Sequence, residues 1–195
     1  MNTRNRYLVA IVAGIALGVA CVKPVLLRVV DASALRNGPW RTLPATGSSA
    51  ANPYVRSAIA VAGLYALSAQ ETIYFTAYDD SEGHTLDSRC RYAVEGPAPM
   101  ARWWSFTLYG DDNYLVDNPA HIYSVSMSRL TPDASGAIRF EVGGAAQAQA
   151  WLPAPPQGSY SLTLRLYNPD AAVSAHPATT PLPQIRKLAC APGAA

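Results

Sequence analysis

The sequence predicts an all-β protein, an antiparallel β-sandwich of jelly-roll-like type that follows an N-terminal transmembrane helix and one amphipathic helix. Three observations predict this class. An uncharged apolar stretch occupies residues 7–22, and from residue 72 onward apolar and polar residues alternate with a period of two. Turn residues separate the alternating runs at short intervals, which is typical of antiparallel sheets. The 16 prolines and 13 glycines among 195 residues argue against a protein built on long helices.

The N-terminal segment, residues 1–30, has the features of a membrane anchor. Residues 7–22 read YLVAIVAGIALGVACV and carry no charge, with basic residues on both sides. A membrane span needs roughly 20 apolar residues, whereas the core of a signal peptide needs about 7–15. Because the long side chain of Lys23 can extend the usable span, we predict an anchor that is retained in the membrane. Two alternatives stay open, namely cleavage after Ala20 and lipidation at Cys21.

The cysteines that follow the anchor fit an oxidising compartment. Cys90 and Cys190 lie far apart in the sequence, and no CxxC pair or Cys/His cluster accompanies them. We therefore predict a disulfide between them and no metal site. A basic start followed by an apolar run is also the order found in an export signal, so we place the body of the protein outside the cytoplasm.

The remaining residues divide into a connector and one globular domain. Residues 31–51 are rich in Gly, Pro, Ser and Ala and are predicted to be irregular. The domain is predicted over residues 52–195. Its helix, over residues 52–69, begins where Asn52 can serve as the N-cap and Pro53 as the first helical residue.

The β-sandwich is predicted over residues 72–190. Alternating runs lie at 72–78, 92–94, 103–109, 123–128, 138–142 and 160–167. In the last run, three leucines alternate with Thr163, Arg165 and Tyr167, so one side of the strand is apolar and the other is polar. This alternation indicates antiparallel strands that bury one face and expose the other.

Several segments of the sequence resemble a bacterial family known as domain of unknown function 1214. They are RWWSFTLYGDDNYLVDNP at 102–119, WLPAP at 151–155, LTLRLYNP at 162–169, GPWRTLPATGS at 38–48 and LPQIRKLAC at 182–190. The last two resemble the short members of the family, which carry one N-terminal anchor. The resemblance implies a β-sandwich fold and a bacterial envelope setting. We therefore expect a single-pass inner-membrane protein with its body in the periplasm. It implies no reaction.

Ligand binding is the chemistry that the polar and aromatic residues favour. The candidate residues are Arg165, Tyr167, Trp151, Trp103, Tyr109 and Asn118. An arginine beside tyrosine on a strand can bind a carboxylate or stack on a sugar ring. The alternative for Arg165 is a cross-strand ion pair with an acid such as Glu141. The alternative for the outward aromatic residues is a second core, covered by the helix at 52–69 or the connector at 31–51.

The charge of the chain after the anchor excludes one class of partner. Of the 15 basic residues, four lie in residues 1–30 and eleven follow, whereas all 13 acids follow. The body therefore carries a formal charge of −2 and has no basic stripe, so we predict no nucleic-acid partner. No spacing of residues matches a known catalytic or cofactor motif, and no cofactor is predicted.

These observations predict a membrane-anchored envelope domain that binds a protein partner or a small polar ligand. The membrane contact is predicted through residues 7–22. One alternative is an enzyme acting on a carbohydrate or small carboxylate, in which Asp111 or Asp112 would face Glu95 or Glu141 as a carboxylate pair. A second alternative is a structural spacer.

Overall fold

The computed structural model of the protein describes residues 2–49, 51–61, 66–144 and 150–191. In chain order, its elements are α1 (Thr3–Ser33), β1 (Leu35–Asn37), β2 (Trp40–Thr42), α2 (Pro53–Val61), β3 (Thr72–Ala77), β4 (Cys90–Pro97), β5 (Ala101–Gly110), β6 (Ser124–Ser126), β7 (Ala137–Val142), β8 (Trp151–Leu152), β9 (Tyr160–Pro169), α3 (Ala171–Ala175) and β10 (Gln184–Cys190). The protein is thus mostly β behind a long apolar helix, as predicted.

The strands form two sheets that face each other. The larger sheet has the order β1-β2-β3-β9-β5-β6 and is antiparallel throughout, whereas the smaller has the order β10-β4-β7-β8. The pair β7–β8 is parallel, so the prediction of purely antiparallel sheets is wrong at this edge. Gly143 and Gly144 have positive φ angles of 80° and 68° and turn the chain out of β7. Alternation along the sequence does not reveal the direction in which β8 then returns.

The hydrophobic core lies between the two sheets. Phe106 of the larger sheet and Phe140 of the smaller sheet are both fully buried, with ring centroids 4.9 Å apart. Leu164 on the central strand β9 is also fully buried. Burying a large apolar side chain of this kind stabilises the fold by about 1.5–3 kcal/mol. The apolar positions of the predicted alternating runs therefore fill this core, except in the run at 123–128, where Val125 is buried but Met127 is 46% exposed.

The connector at 31–51 differs from the irregular segment expected, because it contributes two strands. The Trp40 side chain in β2 is fully buried, its ring centroid lies 5.9 Å from that of Phe106, and its Nε1 donates a hydrogen bond to the Pro183 carbonyl at 2.7 Å. A buried tryptophan whose N–H has a hydrogen-bond acceptor stabilises the position of this segment in the larger sheet. Strands of three residues are too short to show a period in the sequence.

The first helix, α1, has 31 residues and none of its side chains is buried. It continues through Pro24 and ends one residue before β1. At about 1.5 Å per residue it is about 46 Å long, which exceeds the hydrocarbon thickness of a bilayer. It is the one helix in the described ranges that is long and apolar enough to cross a membrane, a test that a signal sequence also meets.

The second helix, α2, is shorter than the helix predicted over 52–69. It begins as expected, since the backbone N–H of Val55 donates to Oδ1 of Asn52 at 2.9 Å. Residues 62–65 lie outside the described residues, and residues 66–68 are not helical. The described part of α2 packs against α1 and makes no comparable contact with the larger sheet.

The disulfide between Cys90 and Cys190 is present, as the sequence predicted. The two residues are directly opposite each other on the antiparallel strands β4 and β10, with their Cα atoms 3.9 Å apart. The disulfide therefore links β10 covalently to β4, its neighbour in the smaller sheet. Cys21 is exposed on α1 and makes no disulfide.

Candidate functional site

The predicted ligand-binding residues lie mainly on the outward side of the larger sheet. We call this surface the outer face, and it consists of Tyr74 and Thr76 on β3, Trp103, Ser105, Thr107 and Tyr109 on β5, and Thr163, Arg165 and Tyr167 on β9. Successive side chains of a strand point to opposite sides of the sheet. Because the leucines of β9 fill the core, the alternate residues Thr163, Arg165 and Tyr167 are placed on the outer face.

Arg165 lies at the centre of the outer face between two tyrosines. On the neighbouring strands, Tyr74 and Ser105 are directly opposite it. Its guanidinium carbon lies 6.0 Å from the ring centroid of Tyr74 and 5.4 Å from that of Tyr109, and its Nη2 donates a hydrogen bond to the hydroxyl of Tyr109. These contacts hold a positive charge between two aromatic rings.

No acid neutralises Arg165 within the residues that the structure describes. The acid that the sequence suggested as a partner, Glu141, lies on the smaller sheet and forms an ion pair with Arg91 at 2.9 Å. The guanidinium of Arg165 is only partly exposed and has aromatic and hydroxyl groups as its described neighbours. It is therefore a cation whose counter-charge could come from a ligand.

Small hydroxyl side chains surround Arg165 on the outer face. Ser105, Thr107 and Thr163 are all buried by their larger neighbours, and Oγ1 of Thr163 lies 3.1 Å from Oγ1 of Thr76 in a hydrogen bond. Hydroxyl groups can both donate and accept hydrogen bonds. The outer face therefore offers one fixed positive charge on a floor of neutral polar groups.

An aromatic pair closes one end of the outer face. The ring centroids of Trp103 and Tyr167 lie 5.2 Å apart, and Nε1 of Trp103 donates to Oγ of Ser128 at 3.0 Å. Trp103 is 36% exposed. The structure thus brings four predicted residues, these two together with Arg165 and Tyr109, onto one surface.

The other two predicted residues are not part of the outer face. Trp151 lies on β8 of the smaller sheet, where its Nε1 donates to the carbonyl of Gly143 at 3.0 Å. Asn118 is buried in the loop between β5 and β6. Its amide donates to the carbonyls of Val116 and Ile122, and its Oδ1 accepts from the N–H of Ile122. These hydrogen bonds give both side chains a role in holding loops.

A cleft of about 600 Å³ opens beside the outer face, and sequence reasoning missed it. Residues 42–46, 69–74 and 171–177 contribute to its wall. Tyr74 belongs both to the cleft and to the outer face, and its hydroxyl accepts a hydrogen bond from the N–H of Leu67 at 3.1 Å. No local pattern could have indicated a cleft whose wall comes from three distant segments.

Three of the four acids that an enzymatic alternative would need, Glu95, Glu141 and Asp112, are engaged elsewhere. Glu95 accepts hydrogen bonds from Arg139 and Arg186, and chiefly the bond from Arg186 lowers the pKa of Glu95. Asp112 Oδ1 accepts from the N–H of Tyr114 at 2.9 Å and shapes its loop. Both glutamates proposed for a carboxylate pair, Glu95 and Glu141, are thus neutralised by arginine.

Among the described residues, one cluster of side chains has a geometry that can hold a metal ion. Ligand atoms of Asp80, Glu82 and His84 lie within 4.8 Å of one another. Oδ1 of Asp80 also accepts the backbone N–H groups of Glu82 and His84 at 2.9 Å each. These bonds make Oδ1 of Asp80 the acceptor that stabilises the turn, whereas its buried Oδ2 has no hydrogen-bond partner within the described ranges.

The protein defined by these features is a mostly β domain behind one apolar N-terminal helix, with an arginine-centred polar face. The family described as "Protein of unknown function (DUF1214)" matches residues 71–171, and the chain belongs to this family. The matched region covers just over half of the chain and includes every residue of the outer face.

Two solved structures of uncharacterised proteins are similar to this chain. The VPA0106 protein from Vibrio parahaemolyticus is 24% identical with a TM-score of 0.58, over 72% of this chain and 36% of that one. A protein from Burkholderia cenocepacia is 17% identical with a TM-score of 0.49, over 89% of this chain and 41% of that one. The chain thus spans little more than a third of the Vibrio protein, with which it shares the fold. No curated protein matches the sequence.

Proposed function

We propose that this protein is a membrane-anchored domain of the bacterial envelope that binds a small carboxylate-bearing ligand on the outer face. The observation that carries this proposal is the state of Arg165, which is held between two tyrosine rings and has no acidic partner among the described residues. A guanidinium presents several N–H donors in a planar fork that matches a carboxylate.

The compartment is part of the proposal. The disulfide between Cys90 and Cys190 supports an oxidising environment, because such bonds form and persist outside the cytosol. The length and apolar character of α1 support retention in the inner membrane with the body on the periplasmic side. The contact between the two sheets supports classification of the body as a β-sandwich, and the jelly-roll-like form stays a prediction.

Two other functions have less support. The enzyme on a carbohydrate or small carboxylate loses its proposed acids, because Glu95 and Glu141 form ion pairs with arginines. A protein partner would need a binding surface, and the partly exposed Trp103 is the one member of the outer face that favours it.

The experiment compares carboxylates with matched neutral compounds. Full-length protein in lipid nanodiscs is titrated calorimetrically with acetate and propanoate and with acetamide and propanamide, and protein-free nanodiscs serve as the blank. We expect binding of the acids only. Arg165→Ala should abolish it, and Arg165→Lys should weaken it because a lysine cannot form the bidentate pair.

A matched control variant separates the site from general charge effects. Arg102 is exposed on β5 and, within the described part of the chain, forms no ion pair, so Arg102→Ala removes the same charge outside the outer face. We expect this variant to bind acetate as the wild type does. Equal binding by wild type and Arg165→Ala, with unchanged melting temperatures, would overturn the proposal.

A further inference from the structure

The cleft and the charge of the outer face are joined by one side chain. Tyr74 forms part of the cleft wall, and its ring also lies 6.0 Å from the guanidinium carbon of Arg165. The hydrogen bond from the N–H of Leu67 holds the tyrosine hydroxyl in place. The cleft therefore begins at the same ring that contacts Arg165.

The cleft is uncharged and mainly apolar, whereas Arg165 beside it carries a positive charge. The described wall of the cleft contains no charged side chain. Apolar groups come from Leu43, Pro44, Ile73, Ala171 and Ala175. The volume of about 600 Å³ lies within the roughly 300–1,000 Å³ typical of small-molecule sites. The cleft thus suits an uncharged, mainly apolar group.

The cleft also has a polar group that no described residue satisfies. Thr72 lines it, and this side chain is 99% buried by its neighbours, since only 1% of its surface is exposed. Its Oγ1 has no hydrogen-bond partner within the described ranges. Because Thr72 is opposite Tyr167 and Tyr74 is opposite Arg165, this unused hydroxyl belongs to the Arg165 end of the cleft, where the polar group of a ligand would lie, and not to the part that suits an apolar group.

The position of the cleft relative to the anchor adds a third observation. Asp31 in the last turn of α1 accepts hydrogen bonds from Arg36 at 2.8 Å and Arg41 at 3.4 Å, and Arg41 also pairs with Asp79 at 2.8 Å. These contacts place the end of the apolar helix beside β2 and the end of β3. The same two strands supply part of the cleft wall, so the cleft lies on elements attached directly to the anchor.

We propose that the ligand is an amphipathic monocarboxylate, whose carboxylate pairs with Arg165 and whose apolar chain occupies the cleft beyond Tyr74. This inference rests on the proposed function and specifies its ligand class. A fatty acid released from the membrane and a soluble amphipathic acid share this chemistry. A second charge at the far end of the ligand has no partner in the described wall and is excluded by its desolvation cost.

The test measures how affinity depends on chain length. Acetate, butanoate and hexanoate are titrated against full-length protein in nanodiscs, with protein-free nanodiscs as the blank. Each buried methylene contributes up to about a fourfold gain in affinity, so we expect hexanoate to bind far more tightly than acetate. Hexanamide, which has the chain without the charge, should bind weakly. Equal affinities along the series would overturn this inference and leave the proposed function intact.

Variants of α3 show where the apolar chain of the ligand lies. Ala175 and Ala171 are exposed residues of α3 that line the cleft, whereas Ala172 is exposed on the same helix and does not. We expect Ala175→Phe and Ala171→Phe to remove the dependence on chain length while acetate still binds. Ala172→Phe should behave as wild type. A chain-length dependence that persists in both cleft variants would overturn the inference.

The source of the ligand, membrane or solution, is identified by supplying one acid in the bilayer and another in the buffer. Hexanoate in solution and oleic acid incorporated in the nanodisc are compared by the change in fluorescence of the protein. A response to oleic acid that Arg165→Ala removes identifies the membrane as a sufficient source. A response to hexanoate alone identifies a soluble acid. Failure of every acid to bind, acetate included, would instead overturn the proposed function itself.

Discussion

Arg165 on β9 donates a hydrogen bond to the hydroxyl of Tyr109 on β5, although the residue directly opposite Arg165 on that strand is Ser105. The arginine therefore extends along the sheet, past its own register partner, to reach a tyrosine four residues further along β5. Its guanidinium carbon lies 5.4 Å from the ring centroid of Tyr109. The direction of the side chain is thus fixed before any ligand arrives, which lowers the entropic cost of binding.

The variant Tyr109→Phe tests this role of the hydroxyl. It removes the acceptor for Arg165 and keeps the aromatic ring, so we expect acetate to bind roughly fivefold more weakly, as for a hydrogen bond worth about 1 kcal/mol. Calorimetric titration checks the prediction. Tyr114→Phe is the control, because Tyr114 is strongly exposed in the loop after β5. Unchanged acetate affinity in Tyr109→Phe would show that the hydroxyl does not position the arginine.

Trp40→Ala tests whether the segment before α2 belongs to the folded domain. The side chain is fully buried and its Nε1 donates to the Pro183 carbonyl, so we expect the free energy of unfolding to fall by about 3–5 kcal/mol. Urea unfolding followed by circular dichroism measures the change. Leu35→Ala, at an exposed position of β1, should have little effect. A loss as small in Trp40→Ala as in Leu35→Ala would place residues 31–51 outside the domain.

The disulfide should make a large contribution to stability. Cys90 and Cys190 are separated by 100 residues, and closing a loop of that length stabilises by up to about 4–5 kcal/mol in the chain-entropy model. We expect reduction, or Cys190→Ser, to lower the free energy of unfolding toward this limit. Cys21→Ser is the control, because this cysteine forms no disulfide. Insensitivity of the wild type to reductant would contradict the prediction.

Thiol labelling in intact cells tests the compartment. We expect Cys90 and Cys190 to react with a maleimide only after reduction, because they are bonded to each other. The mass of the mature chain shows in the same sample whether residues 1–20 are retained. Labelling of both cysteines without reductant would remove the support for a periplasmic body. A mature chain that begins after Ala20 would instead identify the N-terminal segment as a cleaved signal.

The carboxyl group of Asp87, which is paired with Arg89, should titrate at low pH. Hydrogen bonds from the Arg89 side chain, with a further one from its backbone N–H, lower the pKa of Asp87 from 3.8 to about 2. Because this pKa is lower in the folded state, the carboxylate stabilises the fold above pH 3.8, and the contribution is lost as the pH falls from 3.8 toward 2. The contribution is small, since the pair is at the surface.

Carbon-detected NMR across pH 1.5–6 measures the titration of Asp87. We expect a midpoint near 2 in the wild type and a midpoint closer to 3.8 in Arg89→Ala. Arg102→Ala should leave the midpoint of Asp87 where it is. A wild-type midpoint at the ordinary value would show that the ion pair does not form in solution.

The sequence predicted the parts of this fold that depend on local alternation. Leu164 and Leu166 point into the core and Arg165 does not, because a strand reverses its side-chain direction at every residue. The same rule placed Trp103 and Tyr109 on one side of β5. The period alone placed Arg165 with Tyr167 on one side of β9 and Trp103 with Tyr109 on one side of β5, whereas the sharing of one face by all four residues depends on the pairing of β5 with β9.

The remaining features depend on which strands become neighbours. Tyr74 is opposite Arg165 because β3 and β9 pair, although the two residues are far apart in the sequence. The cleft similarly requires α3 to lie beside residues 42–46. The parallel strand β8 also depends on pairing. Contacts of this kind are set by the packing of distant segments, which a single sequence does not specify.

The short connection between α1 and the domain would limit where an anchored copy of this protein can act. Only Ala34 separates α1 from β1, and Asp31 in the last turn of α1 is bonded to Arg36 and Arg41 of the first two strands. A domain on a long flexible linker can search a large volume, whereas a one-residue connection gives almost no reach. An anchored copy would therefore collect its ligand within one domain diameter of the bilayer. Encounters would depend on diffusion along the membrane plane.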